Sequence, residues 1–361
     1  MSATAAQAGA HVGAHKALDL DALGRWMDGQ GLGEGPIGKA TALTGGTQNI
    51  LLRFRRGAGA EYVLRCPRPG AGPEARRGFL REARLLRALG GSAVPHPELI
   101  AACDDGAVLG VPFYLMAPVE GFTATPHPLP PPYADDAAWR RQLGLEMVDG
   151  LLRLGEIDPG QAGLADFGKP EGFLERQVPR WLRHLEECRQ YAGWPGPQAL
   201  PGVIEVAQWL RERVPARFTP GILHGDYHFG NVMFRRDSPR LAAIIDWELA
   251  TIGDPLLDLG WLLATWPDAQ GRGAGTIRIA PAAGLTTPAE LVQRYGAGSR
   301  RDLSAIDWYV ALARFKLGIM LEASHARSCA GMGARDTGEQ HHASAVRLLE
   351  EARDAIGAAH A

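Results

Sequence analysis

The apolar residues in the first third of the chain come in short runs that predict strands. The runs lie at residues 37–43, 50–55, 62–66, 98–103 and 111–116. Apolar residues recur at helical spacing in two other places, which predicts an opening helix over 18–28 and a second helix over 74–89. After the opening helix the predicted order is β-β-β-α-β-β, a compact and sheet-rich arrangement.

The pattern changes after Gly121. Residues 123–133 contain five prolines, so this segment is predicted to be an extended loop. Beyond it helical periodicity dominates, and the only strands predicted there are short ones that flank the segment 224–231. Helices are predicted at 137–154, 173–191, 203–213, 288–295, 305–327 and 339–356.

These patterns predict an α+β fold with two lobes and a cleft between them. The N-terminal lobe, residues 17–116, is expected to be small and built on a mixed β-sheet. A hinge at 117–121 is expected to lead into a large and mainly helical C-terminal lobe at 122–361. Residues 1–16 are rich in Ala and Gly, and we expect a flexible tail without a signal peptide.

Composition excludes several classes of protein. The 361 residues are 46% hydrophobic, enough for one large core or two modest ones. A net charge of -2 does not favour a nucleic-acid or membrane-surface partner, and no apolar run reaches the length of a membrane span. The four cysteines contain no C-x-x-C pair, so we expect buried thiols in a reducing, cytoplasmic compartment and neither a disulfide framework nor a zinc site. The sequence leaves the oligomeric state open.

The strongest chemical signal lies between Ile222 and Glu248. Asp226 is followed five residues later by Asn231, which is the spacing of a kinase catalytic loop. Asp246 then closes a short apolar strand, where a kinase places its metal-binding Asp. Phosphoryl transfer needs one carboxylate for the proton of the substrate hydroxyl, and an amide oxygen and a second carboxylate for Mg²⁺. The alternative is that all three residues only make turns, which a combined motif of this kind disfavours.

Two further features suit a phosphate-binding site. The pair Gly45 and Gly46, followed by Thr47, would let backbone N–H groups approach a phosphate. Taken alone, this motif is better explained by an ordinary Gly-Gly hairpin turn. Arg65 ends the third predicted strand, where a kinase keeps its phosphate-binding Lys, and Glu82 lies in the middle of the following helix, where the partner acid is expected. The alternative for Arg65 is a surface ion pair.

Other matches are weaker. Residues 33–40 fit a P-loop except that Ala40 replaces the metal-binding Ser or Thr, and the D-F-G at 166–168 precedes Asp226 instead of following it. Asp254 before Pro255 predicts a helix N-cap, and Asp258 is a candidate brace for the catalytic loop. Glu248 either reaches a second metal ion or faces solvent.

With these residues in place, the chain resembles the aminoglycoside phosphotransferase family of kinase-like enzymes, and within it the branch linked to acyl-CoA dehydrogenases. The resemblance covers nearly the whole chain after about residue 17. It rests on residues 43–46 with Asn49, 62–65, 81–82, 109–113, 224–228, 230–231, 245–248 and 253–256.

The resemblance implies a protein-kinase-like fold, with Asp226 as catalytic base and with Asn231 and Asp246 as magnesium ligands. It also implies that residues 116–121, which begin with Met116, form the adenine-binding hinge. In this hinge the Ala117 carbonyl and the Val119 N–H would hydrogen-bond to the edge of the adenine base. Two residues depart from the family pattern. Phe229 stands where Pro is usual, and Pro179 interrupts a predicted helix.

The sequence therefore predicts a kinase that uses ATP and Mg²⁺ to phosphorylate a small-molecule hydroxyl. Residues 151–221 carry nine acidic and nine basic side chains, without the surplus of carboxylates that a polycationic antibiotic would need. Arg176, Arg180 and Trp181 favour an anionic or acyl-bearing alcohol, and the resemblance suggests a hydroxyacyl-CoA; a solvated arginine stripe is the equal alternative. An antibiotic kinase and a non-catalytic nucleotide-binding module remain alternatives. A protein kinase is disfavoured because residues 248–254 leave no room for an activation loop.

Overall fold

The computed structural model describes residues 18–43, 49–68, 70–126 and 128–358. The tail predicted at 1–16 and the loop residues Gly45, Gly46 and Thr47 lie outside the described residues. The chain divides into two compact units. The first is Met1–Glu120 with Ile245–Glu248, and the second is Gly121–Ile244 with Leu249–Ala361.

The first unit is built on a five-stranded antiparallel sheet in the order β1-β2-β3-β5-β4. Its elements are α1 (Leu20–Gly29), β1 (Thr41–Ala42), β2 (Asn49–Arg55), β3 (Glu61–Pro67), α2 (Pro73–Leu89), β4 (Leu99–Cys103), α3 (Gly106–Leu109) and β5 (Phe113–Met116). The register puts Arg65 of β3 opposite Leu51 and Tyr114, at the centre of the sheet.

Local chemistry explains where these elements begin. The Asp19 carboxylate accepts the Ala22 N–H at 2.8 Å and caps α1, while Pro73 occupies the first turn of α2. The predicted strand at 37–43 is shorter than expected, because Ile37 makes only an isolated bridge to Arg56 and the glycine at 38 weakens pairing. The single turn α3 was not predicted, since four residues are too few to show a helical period.

The second unit is mainly helical. Its helices are α4 (Ala137–Gly155), α5 (Gln177–Glu187), α6 (Val203–Glu212), α7 (Leu256–Thr265), α8 (Pro288–Gly298), α9 (Ile306–Cys329) and α10 (Arg335–Ala358). Two antiparallel ribbons accompany them. β6 (Gly221–Leu223) pairs with β9 (Thr251–Gly253), and β7 (Val232–Phe234) pairs with β8 (Leu241–Ile244).

Three differences from the sequence predictions have simple causes. Helix α5 begins at Gln177 and not at residue 173, and Pro179 therefore lies in its first turn, where a missing N–H breaks no intrahelical bond. Only the start of helix α7 was predicted, from Asp254 and Pro255. Its extent was not, because the helix is buried nearly all round and shows no polar face. Strand β9 was missed because it is only three residues long.

Two expectations about composition can now be compared with the structure. Three of the four cysteines are buried as predicted, but Cys329 is exposed, so the prediction was wrong for that residue. No helix within the described ranges combines the length and apolar composition needed to cross a membrane.

Candidate active site

The loop after β6 carries Asp226, and its shape depends on Gly225. This glycine has a φ of 86°, and a Cβ added to it would lie 2.6 Å from the Leu249 carbonyl oxygen. Only glycine therefore fits, for reasons of both backbone conformation and space. The turn brings the chain sharply from the end of β6 to the Asp226 side chain.

Asp258, in the first turn of α7, holds this loop from behind. Its carboxylate accepts the His224 N–H at 2.6 Å and the Gly225 N–H at 2.8 Å. The residue is only 1% exposed, and burial raises its pKa while those hydrogen bonds oppose the rise. The brace predicted from the sequence is therefore present. Asp254 was predicted to be the N-cap of this helix, but α7 begins one residue later than expected and its N-cap is Pro255. The Asp254 carboxylate still accepts the Leu256 N–H at 3.1 Å.

Asp226 and Asn231 are joined within this loop. Asn231 Nδ2 donates to the Asp226 carbonyl oxygen and to Asp226 Oδ2, both at 2.9 Å. The amide oxygen of Asn231 has no hydrogen-bond partner among the described residues, so it is available as a ligand. His228 Nε2 lies 3.4 Å from Asp226 Oδ1 on the other side of the carboxylate.

The surroundings of Asp226 favour its charged form. Burial by itself raises the pKa of this carboxyl. The hydrogen bond and charge of His228, with smaller contributions from His224 and Lys316, outweigh burial and lower the pKa to about 2. Asp226 is consequently an ionised hydrogen-bond acceptor throughout the physiological pH range.

Lys316, in the middle of α9, supports the same loop and was not predicted from the sequence. Its ammonium donates to the Gly225 carbonyl at 3.0 Å and lies 4.2 Å from the ring centre of Trp261 and 5.5 Å from that of Trp181. Burial lowers the pKa of Lys316 to about 8, against the attraction of Asp226 and Asp258. The sequence signal was slight: a single Lys in a largely apolar stretch of a long helix.

In the first unit, Arg65 lies between two carboxylates. Arg65 Nη1 is 3.3 Å from Glu82 Oε1, and Arg65 Nη2 donates to Asp246 Oδ1 at 2.9 Å. The surface ion pair considered for Arg65 is wrong, because the Arg65 and Glu82 side chains are both buried. Burial would lower the pKa of Arg65, but these acids raise it overall, so the guanidinium stays charged. Arg65 Nε is buried and has no hydrogen-bond partner.

Glu82 is in a more negative environment than its pairing with Arg65 suggests. Burial is the largest effect on its pKa and raises it, the Arg65 charge lowers it, and the carboxylates of Asp246 and Glu248 raise it again. The net pKa is about 7, even though the Trp247 N–H also donates to the carboxylate. The first unit therefore holds more acidic groups here than Arg65 neutralises, and a cation would relieve that imbalance.

Asp246 has the unusual backbone of a functional turn. Its φ is 65°, and no other non-glycine residue in the described part of the chain has a positive φ. The next residue, Trp247, is 2% exposed and anchors the turn, while the Asp246 side chain is 42% exposed and keeps an accessible oxygen. Glu248 follows with its side chain at the surface.

The predicted hinge follows β5 directly. The Ala117 N–H donates to the Glu98 carbonyl at 2.9 Å, which fixes the start of the segment. Neither the Ala117 carbonyl nor the Val119 N–H has a hydrogen-bond partner within the described ranges. At the far end Glu120 pairs with Arg53 of β2 at 2.7 Å. One backbone acceptor and one donor are thus left available beside Met116.

The residues predicted to contact the acceptor have different environments. Arg176 precedes α5 and donates to the backbone carbonyls of Lys169 and Glu171, so its guanidinium mainly closes a turn. Arg180 lies 5.5 Å from the ring centre of Trp181, and that ring also faces Lys316. The structure therefore groups Trp181 with Arg180 and Lys316, whereas Arg176 is engaged locally.

Phe229, the departure from the family pattern inside the catalytic loop, has a packing role. It is 1% exposed, and its ring centre lies 4.9 Å from that of Trp266. The short 3₁₀ turn Phe229–Asn231 begins after His228, whose Nδ1 accepts the Gly230 N–H at 2.9 Å. A buried aromatic ring here holds the loop that a proline would stiffen.

A small antiparallel sheet followed by a mainly helical unit, with carboxylate and amide oxygens on short loops, defines a phosphotransferase of the protein-kinase-like fold. The chain belongs to the phosphotransferase enzyme family, whose sequence profile matches residues 39–309. The fold and the family expected from the sequence are therefore confirmed.

Similar proteins agree with this assignment. A protein of Ralstonia eutropha, described as a candidate aminoglycoside phosphotransferase, has a solved structure with 27% identity and a TM-score of 0.77, covering 93% of this chain and 99% of that one. The probable acyl-CoA dehydrogenase IBR3 of Arabidopsis thaliana is 28% identical over 86% of this chain, and acyl-CoA dehydrogenase family member 10 of Mus musculus is 26% identical over 83%. The matches span only 39% and 28% of those two proteins.

Proposed function

We propose that this chain transfers the γ-phosphoryl group of ATP, bound as its Mg²⁺ complex, to a hydroxyl group of a small molecule. The observation that carries the proposal is the ionised Asp226, hydrogen-bonded to Asn231 at 2.9 Å on a loop that Asp258 braces. An acceptor oxygen held against that carboxylate would be oriented for in-line attack.

In this mechanism Asp226 acts mainly by position. A carboxylate with a pKa near 2 is a weak base, so it would accept the hydroxyl proton only after the new P–O bond has largely formed. Before that step it orients the hydroxyl by accepting its hydrogen bond. His228 and Lys316 keep the carboxylate ionised, and Asp258 fixes the backbone that carries it.

The donor set fits Mg²⁺. Asn231 offers an amide oxygen and Asp246 offers carboxylate oxygens, and this small dication binds oxygen ligands almost exclusively. We assign both residues as its ligands. When bound, the metal ion neutralises charge on the phosphate oxygens. Burial raises the pKa of Glu82 most, and Asp246 and Glu248 raise it further. Asp246 therefore has other carboxylates near it, which favours a cation there.

The nucleotide would be held by Arg65 and the hinge. Arg65 is held in place by Glu82 and is always charged, so its guanidinium can bind the α- and β-phosphates. The unpartnered Ala117 carbonyl and Val119 N–H match the donor and acceptor on the edge of adenine. Gly45, Gly46 and Thr47 are proposed to form the phosphate-binding loop, because the two glycines would let backbone N–H groups approach a phosphate.

The acceptor is proposed to be an anionic or acyl-bearing alcohol. Three donors cluster around α9: the Lys316 ammonium and the buried indole N–H groups of Trp181 and Trp261. Neither indole has a hydrogen-bond partner among the residues that the structure describes. A buried donor without an acceptor is costly, and a carboxylate, phosphate or thioester oxygen would satisfy it. Arg180 adds a positive charge beside Trp181.

A hydroxyacyl-CoA combines these features, because it carries a hydroxyl, an acyl carbonyl and anionic phosphates. The relatives named acyl-CoA dehydrogenases support this choice. An aminoglycoside acceptor is the second candidate, favoured by the similar Ralstonia protein. A polycationic sugar would, however, meet Lys316 and Arg180, and like charges repel.

A direct assay tests the proposal. The purified chain with ATP and Mg²⁺ is offered hydroxyacyl-CoA esters and kanamycin-type sugars in parallel, and phosphorylated products are identified by mass spectrometry, with Asp226→Asn as the control. We expect phosphorylated hydroxyacyl-CoA. Phosphorylation of the sugars alone would overturn the acceptor proposal. Stabilisation by Mg·ATP in a thermal shift assay, with no transfer to any hydroxyl, would favour the non-catalytic module.

A further inference from the structure

A second cluster of reactive side chains lies on helices α9 and α10, and the phosphoryl transfer proposed above does not use it. Donor atoms of Glu322, His325 and His342 lie within 4.8 Å of one another. Cys329 extends the cluster, because its Sγ is 3.5 Å from His325 Nε2. The group thus offers one carboxylate, two imidazoles and one thiol.

The sequence places three of these donors together without long-range help. Glu322, His325 and Cys329 are separated by three and four residues on α9, so they share one face of the helix. A short connection returns the chain as α10, which brings His342 against that face. The rings of His325 and His342 are 4.8 Å apart, and His342 Nδ1 is 2.7 Å from Glu322 Oε2.

The surroundings resemble those of a metal-binding site. Glu322 has 0% exposure, and its Oε1 accepts the Trp194 indole N–H at 2.6 Å. Such a hydrogen bond from outside the ligand set orients a carboxylate that binds a metal ion. Cys329 lies at the exposed side of the cluster, which leaves a route for an ion to enter.

We propose that Glu322, His325, Cys329 and His342 bind a zinc-class transition-metal dication with tetrahedral geometry. Imidazole and thiolate ligands select such ions and disfavour Mg²⁺ and Ca²⁺, which take oxygen ligands. Metal distances of about 2.0 Å to nitrogen and about 2.3 Å to sulfur give a tetrahedral edge of about 3.5 Å. His325 and Cys329 already have that separation, at 3.5 Å.

Binding needs two small rearrangements and the release of the Cys329 proton. The Cys329 thiol, which contacts only His325 within the cluster, must turn toward the other donors. The Glu322–His342 pair, now 2.7 Å apart, must open by a few tenths of an ångström, since both atoms would become ligands. The Cys329 thiol loses its proton on binding, and His342 carries its N–H on Nε2 so that Nδ1 is free to bind the ion. With four protein ligands the site is closed, so its role is structural: it clamps α10 to the helix that carries Lys316.

Metal titration of the full-length chain tests the proposal. The chain is stripped with a chelator and titrated with Zn²⁺ against a chromophoric competitor, and separately with Co²⁺ under an absorption spectrometer. We expect one ion per chain with a sub-micromolar Kd, proton release to the buffer, and a thiolate-to-cobalt charge-transfer band. Zn²⁺ should also raise the thermal midpoint.

Variants separate the site from adventitious binding. His342→Ala and Cys329→Ser should each weaken Zn²⁺ binding by about a hundredfold or more, and Cys329→Ser should abolish the charge-transfer band. Trp194→Phe keeps every ligand but removes the hydrogen bond to Glu322, so it should weaken Zn²⁺ binding by about tenfold. This variant tests the site even if the ligand variants fail to fold. His184→Ala and Cys103→Ser, whose side chains lie elsewhere, should bind like the parent.

Three results would overturn the site. A dissociation constant above about 100 μM would mean adventitious binding by surface His and Cys side chains, because a closed four-ligand zinc site binds far more tightly. Unchanged affinity in folded Cys329→Ser or His342→Ala would exclude those residues as ligands. In either case the cluster would be a buried carboxylate satisfied by Trp194 and His342. None of these results bears on phosphoryl transfer, which is tested separately.

Discussion

The acidic groups of the two units experience opposite electrostatic environments. In the first unit the pKa of Glu82 is raised to about 7, chiefly by burial and further by Asp246 and Glu248. In the second unit the pKa of Asp226 is lowered to about 2, because positive groups outweigh the effect of burial. Both carboxylates belong to a proposed catalytic machinery, yet one environment has an excess of negative charge and the other of positive charge.

The difference indicates what each environment binds. An excess of carboxylates around Asp246 and Glu82 suits a cation, which is the proposed magnesium ion. The positive groups that act on Asp226 include Lys316, and the rings of Trp181 and Trp261 lie beside that ammonium. Their indole N–H groups have no hydrogen-bond partner among the described residues, so this environment suits an anionic acceptor. The chemistry proposed for each unit therefore follows from its own charges. The following predictions test that contrast, from the largest expected effect to the smallest.

Asp226→Asn should cause the largest loss. Turnover is expected to fall by about 10²–10⁴-fold, because the positioned acceptor for the hydroxyl proton is removed, while the Kd for ATP stays within a few-fold. Steady-state kinetics and a nucleotide titration measure the two effects. The exposed Asp237→Asn is the matched control. Turnover at the parental rate would show that Asp226 has no role in the chemistry.

Asp246→Ala should weaken the binding of Mg²⁺ in the first unit. We expect loss of the Mg²⁺-dependent tightening of ATP binding and a fall in turnover of about 10²–10³-fold, since a fixed charge near the phosphates is removed. Calorimetric titrations with ATP, with and without Mg²⁺, provide the measurement. Glu248→Ala is the paired variant. If it loses the Mg²⁺ dependence and Asp246→Ala keeps it, Glu248 is the ligand.

Asp258→Ala should destabilise the second unit. The His224 and Gly225 N–H groups would lose their acceptor in a buried position, at a cost of about 2–4 kcal/mol of unfolding free energy. Urea denaturation measures this change. Asp302→Ala removes a carboxylate that accepts the Ser304 N–H at the surface, and it should change stability by only about 0.5 kcal/mol. Equal effects in the two variants would mean that the brace is dispensable.

Lys316 should make acceptor binding depend on pH. With its pKa near 8, the ammonium loses its proton as the pH rises through that value, and the KM for an anionic acceptor should then increase by about tenfold. Lys316→Met should raise this KM at pH 7 and remove the pH dependence, while the surface variant Lys169→Met behaves like the parent. A pH profile of Lys316→Met that matches the parent would assign the dependence to another group.

The same shift has the opposite effect on folding. The pKa of Lys316 in the folded chain, about 8, is below its ordinary value of 10.5, so the unfolded chain binds more protons between these pH values. The contribution of Lys316 to the free energy of unfolding should therefore rise from about pH 8 to pH 10.5, while acceptor binding weakens. Comparing the denaturation of the parent and Lys316→Met across this range separates the two effects.

The sequence by itself determined the fold class and the groups that we propose to react. Asp226 and Asn231 lie within one loop, so their spacing encodes their contact, and Asp246 was recognisable as the end of an apolar strand. Arg65 and Glu82 were found because strand ends and helix centres are visible as local patterns. Family resemblance then supplied the roles, which local pattern alone does not carry.

Only the tertiary structure decided which groups support the reacting ones. Lys316 lies far along the chain from Gly225, and nothing in its neighbouring residues marks the contact. The extent of helix α7 was not predicted, because burial on nearly every side removes the polar face on which helical periodicity depends. The Glu322, His325 and His342 cluster needs two helices to pack together before it exists. Local sequence patterns therefore predict contacts between residues that are close along the chain. Contacts between distant residues depend on how the helices pack, and no local pattern in this sequence predicts that packing.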